Sequence, residues 1–163
     1  MTEAPDLVEP VVGFRAWRVI GGRLLSPYIP CRWEGRELHA ECFPANRRLQ
    51  LGRGWLDAPH RSPHHACQCG IYAYHRPGQQ AYYGEWEVVE GAVTVWGRLE
   101  VHRDGLRAEH ARVEALLGRP DIAGRLGCAV VSDRDELRAR AATLGAPLPE
   151  RLRPSPGSAR PTR

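Results

Sequence analysis

The chain has 163 residues, an ordinary apolar content, 26% charged residues and a formal net charge of +4. That length makes one domain, able to bury a core without disulfides, and no apolar run approaches the roughly 18 residues a membrane span needs. All 23 basic residues are arginine. Four of them (Arg151, Arg153, Arg160, Arg163) stand against Glu150 in the stretch 147–163, so the rest of the chain, near about +1, lacks the basic stripe of a nucleic-acid binder.

The opening residues Met1 to Asp6 lack the basic-then-apolar pattern of a signal peptide. The expected setting is therefore the cytoplasm, where cysteines serve metal binding or catalysis rather than disulfides. Residues 1–10 read as a flexible end, 11–146 as a single α+β domain and 147–163 as a disordered Pro/Arg-rich tail.

Val11 to Ile20 reads as a strand, with Val12, Phe14, Ala16 and Arg18 on one face and Gly13, Arg15, Trp17 and Val19 on the other. Gly21-Gly22 signals a two-residue hairpin returning through Arg23 to Ser26, ended by Pro27 and Pro30. A turn at Trp33 to Arg36 precedes a second alternating stretch, Glu37 to Phe43. The irregular stretch from Pro44 to Pro63 is long enough to imply function, mobility or a metal clip. Gly70 to His75 fits one or two helical turns, or alternatively a short buried strand.

Glu85 to Val89 reads as a strand, Glu90-Gly91 as a turn and Ala92 to Arg103 as a long strand. Asp104-Gly105 then reads as a type I′ hairpin leading into Leu106 to Leu116. That register places His102 opposite Arg107 but Glu100 opposite Glu109, which is unfavourable and predicts a bulge or partial helix. A short helix from Pro120 to Leu126 stops at Gly127, followed by the apolar strand Cys128 to Val131. A last helix spans Asp133 to Leu144, with Ser132 as N-cap, Asp135 completing a capping box and Gly145 as a left-handed stop.

The densest chemistry lies in Ala58 to Tyr74, where His60, His64, His65, Cys67 and Cys69 crowd into a proline-bounded loop. His64-x-x-Cys67-x-Cys69 offers three zinc ligands and Cys42 a fourth, while Cys31, His39, His60 and His65 compete for a place. The competing reading makes Cys42 and Cys69 small buried apolar residues and the histidines solvated. Cys128, in its apolar strand, reads as core.

A second reading makes Cys69 or Cys67 a nucleophile at a helix start, where the dipole lowers a thiol pKa. His102 would be its base, oriented by Asp104 or Glu100. A third makes Trp96, Arg98, His102 and Arg107 one ligand-binding face, since an indole beside guanidinium groups suits a planar or anionic ligand. Against it stands a plain solvated strand face.

Two blocks carry a resemblance. Ser62 to Ala73 is similar to an A-P-H-x-x-C-x-C-G-I-Y-A pattern, and Val95 to Ala108 to a W-G-x-V-x-x-H-x-x-G-x-R-A pattern. Together they resemble a family of small, mostly uncharacterised proteins of actinobacteria and their phages, over roughly residues 11–145. Ser62, Leu99 and Leu106 depart mildly from the patterns. The matching positions are His64, Cys67, Cys69, Gly70, Tyr72, Trp96, Gly97, His102, Gly105 and Arg107. The resemblance implies a bacterial or phage cytoplasmic setting and one site made from both blocks. It implies no substrate. The Cys-then-His-then-acid order is also similar in layout to papain-like and transglutaminase-like hydrolases.

The sequence thus predicts an α+β fold: a strongly bent antiparallel sheet or small β-barrel with a Cys/His loop and two short C-terminal helices. The leading function is a binding or regulatory module with structural zinc, acting on a small molecule or protein rather than nucleic acid or membrane. The alternatives are a Cys-His hydrolase or transferase, and an interaction module of a phage or host complex.

Overall fold

The computed structural model describes residues 10–27, 31–42, 60–80, 85–145, 148 and 152. Eight strands and two helices follow in the order β1 (Val11–Ile20), β2 (Arg23–Leu25), β3 (Arg32–Trp33), β4 (Glu37–His39), β5 (Ile71–Tyr74), β6 (Val88–Val101), β7 (Gly105–Leu117), α1 (Pro120–Leu126), β8 (Ala129–Val131) and α2 (Arg134–Ala142). Among the described residues, no helix is long and apolar enough to cross a membrane.

The expected α+β class and bent sheet are present. β6 pairs antiparallel with β1 on one side and β7 on the other, and β7 pairs in turn with β5. A single bridge, Phe14 to Tyr74, returns from β5 to β1. The pairing path therefore comes back on itself through four strands. β4 and the parallel β8 extend β7, and the Gly21-Gly22 hairpin adds β2 and then β3 beyond β1.

β1 is buried along nearly its whole length because both of its faces are covered. Val11, Trp17 and Val19 join a large core with Trp33, Ile71, Val93, Val113 and Ile122 of α1. Val12 and Phe14 face the opposite way, onto Leu137 and Ala141 of α2. Leu148 is buried in the large core and Leu152 packs against it. Apolar packing thus reaches into the stretch expected to be disordered; the rest of that tail, residues 1–9 and the irregular stretch 43–59 lie outside the described residues.

Several local expectations are corrected, some of them by a close backbone approach. Of the two forms expected for residues 70–75, the short strand is the one found and the helical turns are not: Ile71 and Ala73 are buried while Tyr72 and Tyr74 are half-exposed, a period of two. Glu90-Gly91 is no turn; β6 runs straight through it. A Cβ on Gly91 would stand 2.3 Å from the Ala115 carbonyl oxygen, so this glycine admits a neighbouring strand. Gly105 does the same, with its Cβ position 2.3 Å from the Ala73 carbonyl oxygen.

The β6–β7 loop is consequently Arg103-Asp104, closed by His102 N–H donating to Gly105 O at 2.8 Å. This one-residue change sets Glu100 opposite Arg107 and removes the clash of like charges. A bulge does occur, between Trp96 and Leu99, where Gly97 takes φ +79°.

At α2 the N-cap is Asp133, whose carboxylate accepts from the Asp135 and Glu136 backbone N–H groups. Ser132 instead bonds the Glu136 carboxylate. Thr143 ends the helix, and Gly145, not left-handed, packs against the Pro10 carbonyl.

Candidate metal centre

β5 and β7 carry the Cys/His loop. Cys69 directly precedes Gly70, whose φ of +121° turns the chain into β5. A Cβ there would press on Pro63 at 3.0 Å and Arg107 at 3.1 Å, so the loop closes only over a glycine. A short turn, Cys67 N–H donating to His64 O at 2.9 Å, presents Cys67.

The turn and β5 bring four donors together: Cys42 Sγ, His60, Cys67 Sγ and Cys69 Sγ all lie within 4.8 Å of one another. Cys67 and Cys69 are buried, Cys42 and His60 half-buried. Cys42 Sγ is 3.6 Å from Cys67 Sγ, and Cys69 Sγ is 3.4 Å from His60 Nε2. A zinc tetrahedron with ordinary bond lengths has edges of about 3.8 Å between sulfurs and about 3.5 Å between sulfur and nitrogen. Both measured edges are close to those values.

Of the four ligands expected from spacing, Cys42, Cys67 and Cys69 stand in this group. His64 does not. Its Nδ1 accepts from Ala66 N–H at 3.2 Å, and its ring lies between those of His60 and His65. His60 takes the fourth place. Cys31 lies elsewhere, its thiol 3.8 Å from the Arg32 carbonyl oxygen, and Cys128 packs against the core as expected.

Burial raises the Cys67 thiol, but a backbone hydrogen bond from Cys69 and the side chains of Cys42, Cys69 and His60 outweigh it and draw it down to about 7. Burial pushes Cys69 up, and Cys67 beside it adds to that.

Two charged residues of β7 fix the loop from behind. Arg107 is 4% exposed. One of its terminal nitrogens donates to both the Cys67 and Cys69 carbonyl oxygens, and the other reaches Glu100 and, at 3.5 Å, His64 O. Glu109 accepts two bonds from Arg61, at 2.6 and 2.7 Å, immediately beside His60. It also accepts from the Arg98 backbone N–H at the bulge, at 3.0 Å. The Arg61 guanidinium leads in holding this carboxyl down at about 2. Such outer contacts orient metal ligands.

Comparison with protein-family models, curated proteins and solved structures finds no match to this chain.

Of the other expected groups, His102 and Arg107 are in contact. Cys69 precedes a strand, so the helix dipole invoked for a nucleophile is absent there. His102 Nε2 receives Arg107 Nε at 3.3 Å and lies 3.9 Å from Glu100. Burial, then the Arg107 cation, hold its imidazole below the usual range. Trp96 stacks on His110 at 5.5 Å with planes 9° apart, and His110 meets His39 across β4. Arg98 is exposed.

Sequence reasoning missed the inward role of Arg107, the Arg61–Glu109 pair and the His110 row. The row becomes legible only once the bulge fixes the register. For Arg107 the one available signal was its place among small apolar neighbours, Leu106 and Ala108.

Proposed function

We propose that this chain is a small binding or regulatory module whose loop is locked by a structural zinc on Cys42, His60, Cys67 and Cys69. The reading rests on one observation: three sulfurs and an imidazole nitrogen lie within 4.8 Å of one another, with the Cys42–Cys67 and Cys69–His60 edges at 3.6 and 3.4 Å. Four protein donors fill a zinc coordination shell, which is the arrangement of structural rather than catalytic sites. The ligands join Cys42 to His60, which are separated in sequence by residues 43–59, so the ion would tie distant parts of the chain together as well as hold β5. Its partner would be a small molecule or another protein, in the cytoplasmic bacterial or phage setting that the two sequence blocks suggest.

Elemental analysis of protein made without chelator or metal-affinity tag should find about one zinc per chain, with thiols shielded until chelator is added. His60→Ala should lose the metal and His64→Ala should keep it. The competing reading, a thiol enzyme, draws on the lowered Cys67 thiol. Metal-free protein with one thiol reacting far faster than the rest would replace the zinc reading by that one.

A further inference from the structure

A second group of donors stands on the sheet itself. His39 of β4 and Trp96 of β6 are the register partners of His110 on β7, so three rings form a row across three strands. His39 Nδ1 and His110 Nδ1 face each other at 3.3 Å. Two imidazole nitrogens on one tetrahedral ion stand about 3.3–3.4 Å apart, so the pair is already spaced for a shared ligand. A carboxylate oxygen of Glu109 lies within 4.8 Å of a ring nitrogen of each histidine.

We propose that His39 and His110, with Glu109 as a third donor, form an exchangeable site for a divalent transition-metal ion. Imidazole with one carboxylate favours zinc, nickel or copper over magnesium or calcium. His39 is exposed and His110 half-buried, which leaves the remaining coordination positions to water or to a ligand brought by a partner. Without metal the two nitrogens share one hydrogen bond. To bind, the donor ring moves its proton from Nδ1 to Nε2, so no proton need leave the protein. Glu109 is buried and held by Arg61 through a mostly exposed side chain, which can yield one of its two bonds. Trp96 stacked on His110 fixes that ring and provides a reporter. The site shares no ligand with the Cys/His group, and among the described residues His39 and His110, unlike Glu109, make no contact that holds that group's loop, so substitutions at the two histidines test this site alone.

The test is a titration of full-length, zinc-loaded, tag-free protein with nickel chloride, followed by tryptophan fluorescence and calorimetry. Zinc content measured afterwards reports separately on the Cys/His group. The expected result is one saturable nickel per chain with fluorescence quenching. His39→Gln and His110→Gln should each weaken it by about ten-fold or more. Trp96→Phe should bind but lose most of the quenching, and the His64→Ala, His65→Ala double variant should bind as the parent does. Nickel binding indifferent to His39 and His110, binding lost in the His64/His65 variant, or no saturable binding at all would overturn the proposal.

Discussion

Arg107 shows how a single side chain can hold the Cys/His loop without being one of its four clustered donors. Its planar guanidinium reaches two loop carbonyls and the Glu100 carboxylate from a buried position. Removing it would leave those acceptors and a carboxylate unsatisfied, which costs about 3 kcal/mol or more. Arg107→Ala is expected to lower the urea midpoint strongly and to weaken zinc retention against chelator by roughly 10- to 100-fold. Arg107→Lys should rescue little, since one ammonium cannot reproduce the fork. Wild-type-like chelator resistance in Arg107→Ala would show that the loop holds its ligands unaided. At this scale the sequence disclosed the residue types but not their partners. His64 sits at better sequence spacing than His60, yet it is used to shape the turn before Cys67. Spacing counts residues, whereas ligation depends on where the turn directs each ring.

Among the elements, the glycines decide more than the apolar pattern does. The β1–β2 hairpin, the larger part of β6, both helices and β8 were legible from alternation and turn residues, whereas the Glu90-Gly91 turn and the caps expected of α2 are not the ones found, and the β7 sequence also admits partial helix. What was not legible was whether a glycine marks a turn or a close approach, because both uses leave the same letter. Gly91 and Gly105 are approaches; Gly21 and Gly22, at φ +57° and +71°, are a turn. Gly105→Ala would drive a methyl group into the Ala73 carbonyl and separate β5 from β7. A loss of about 3 kcal/mol or more is expected by denaturant unfolding, with zinc retention falling alongside it because Cys69 adjoins β5. An alanine variant with parental stability and metal content would contradict this register.

The molecule as a whole combines a bent sheet, α2 across one of its faces and a loop tied at the other end of β5. The apolar core was readable in outline, but the burial of Leu148 was not, because a leucine in a Pro/Arg-rich stretch gives no periodic signal. Buried charge adds a pH dependence. Burial alone would raise Glu114, but the Thr94 hydroxyl and the Arg112 and Arg36 guanidiniums outweigh it and hold it below its ordinary 4.5. A folded value below the unfolded one means its contribution is complete above 4.5 and is lost as pH falls through the lowered value. Glu114→Gln should therefore destabilise at neutral pH and flatten the acid limb of the stability curve. Parallel curves for variant and parent would exclude Glu114 as the source.

X-ray absorption at the zinc edge reads the neighbours of the proposed ion directly. On full-length protein loaded with a single equivalent of zinc, three sulfur neighbours at about 2.3 Å and one nitrogen at about 2.0–2.1 Å are expected from the proposed ligand set. A shell dominated by nitrogen and oxygen, or one unchanged by His60→Ala and Cys69→Ser, would contradict it.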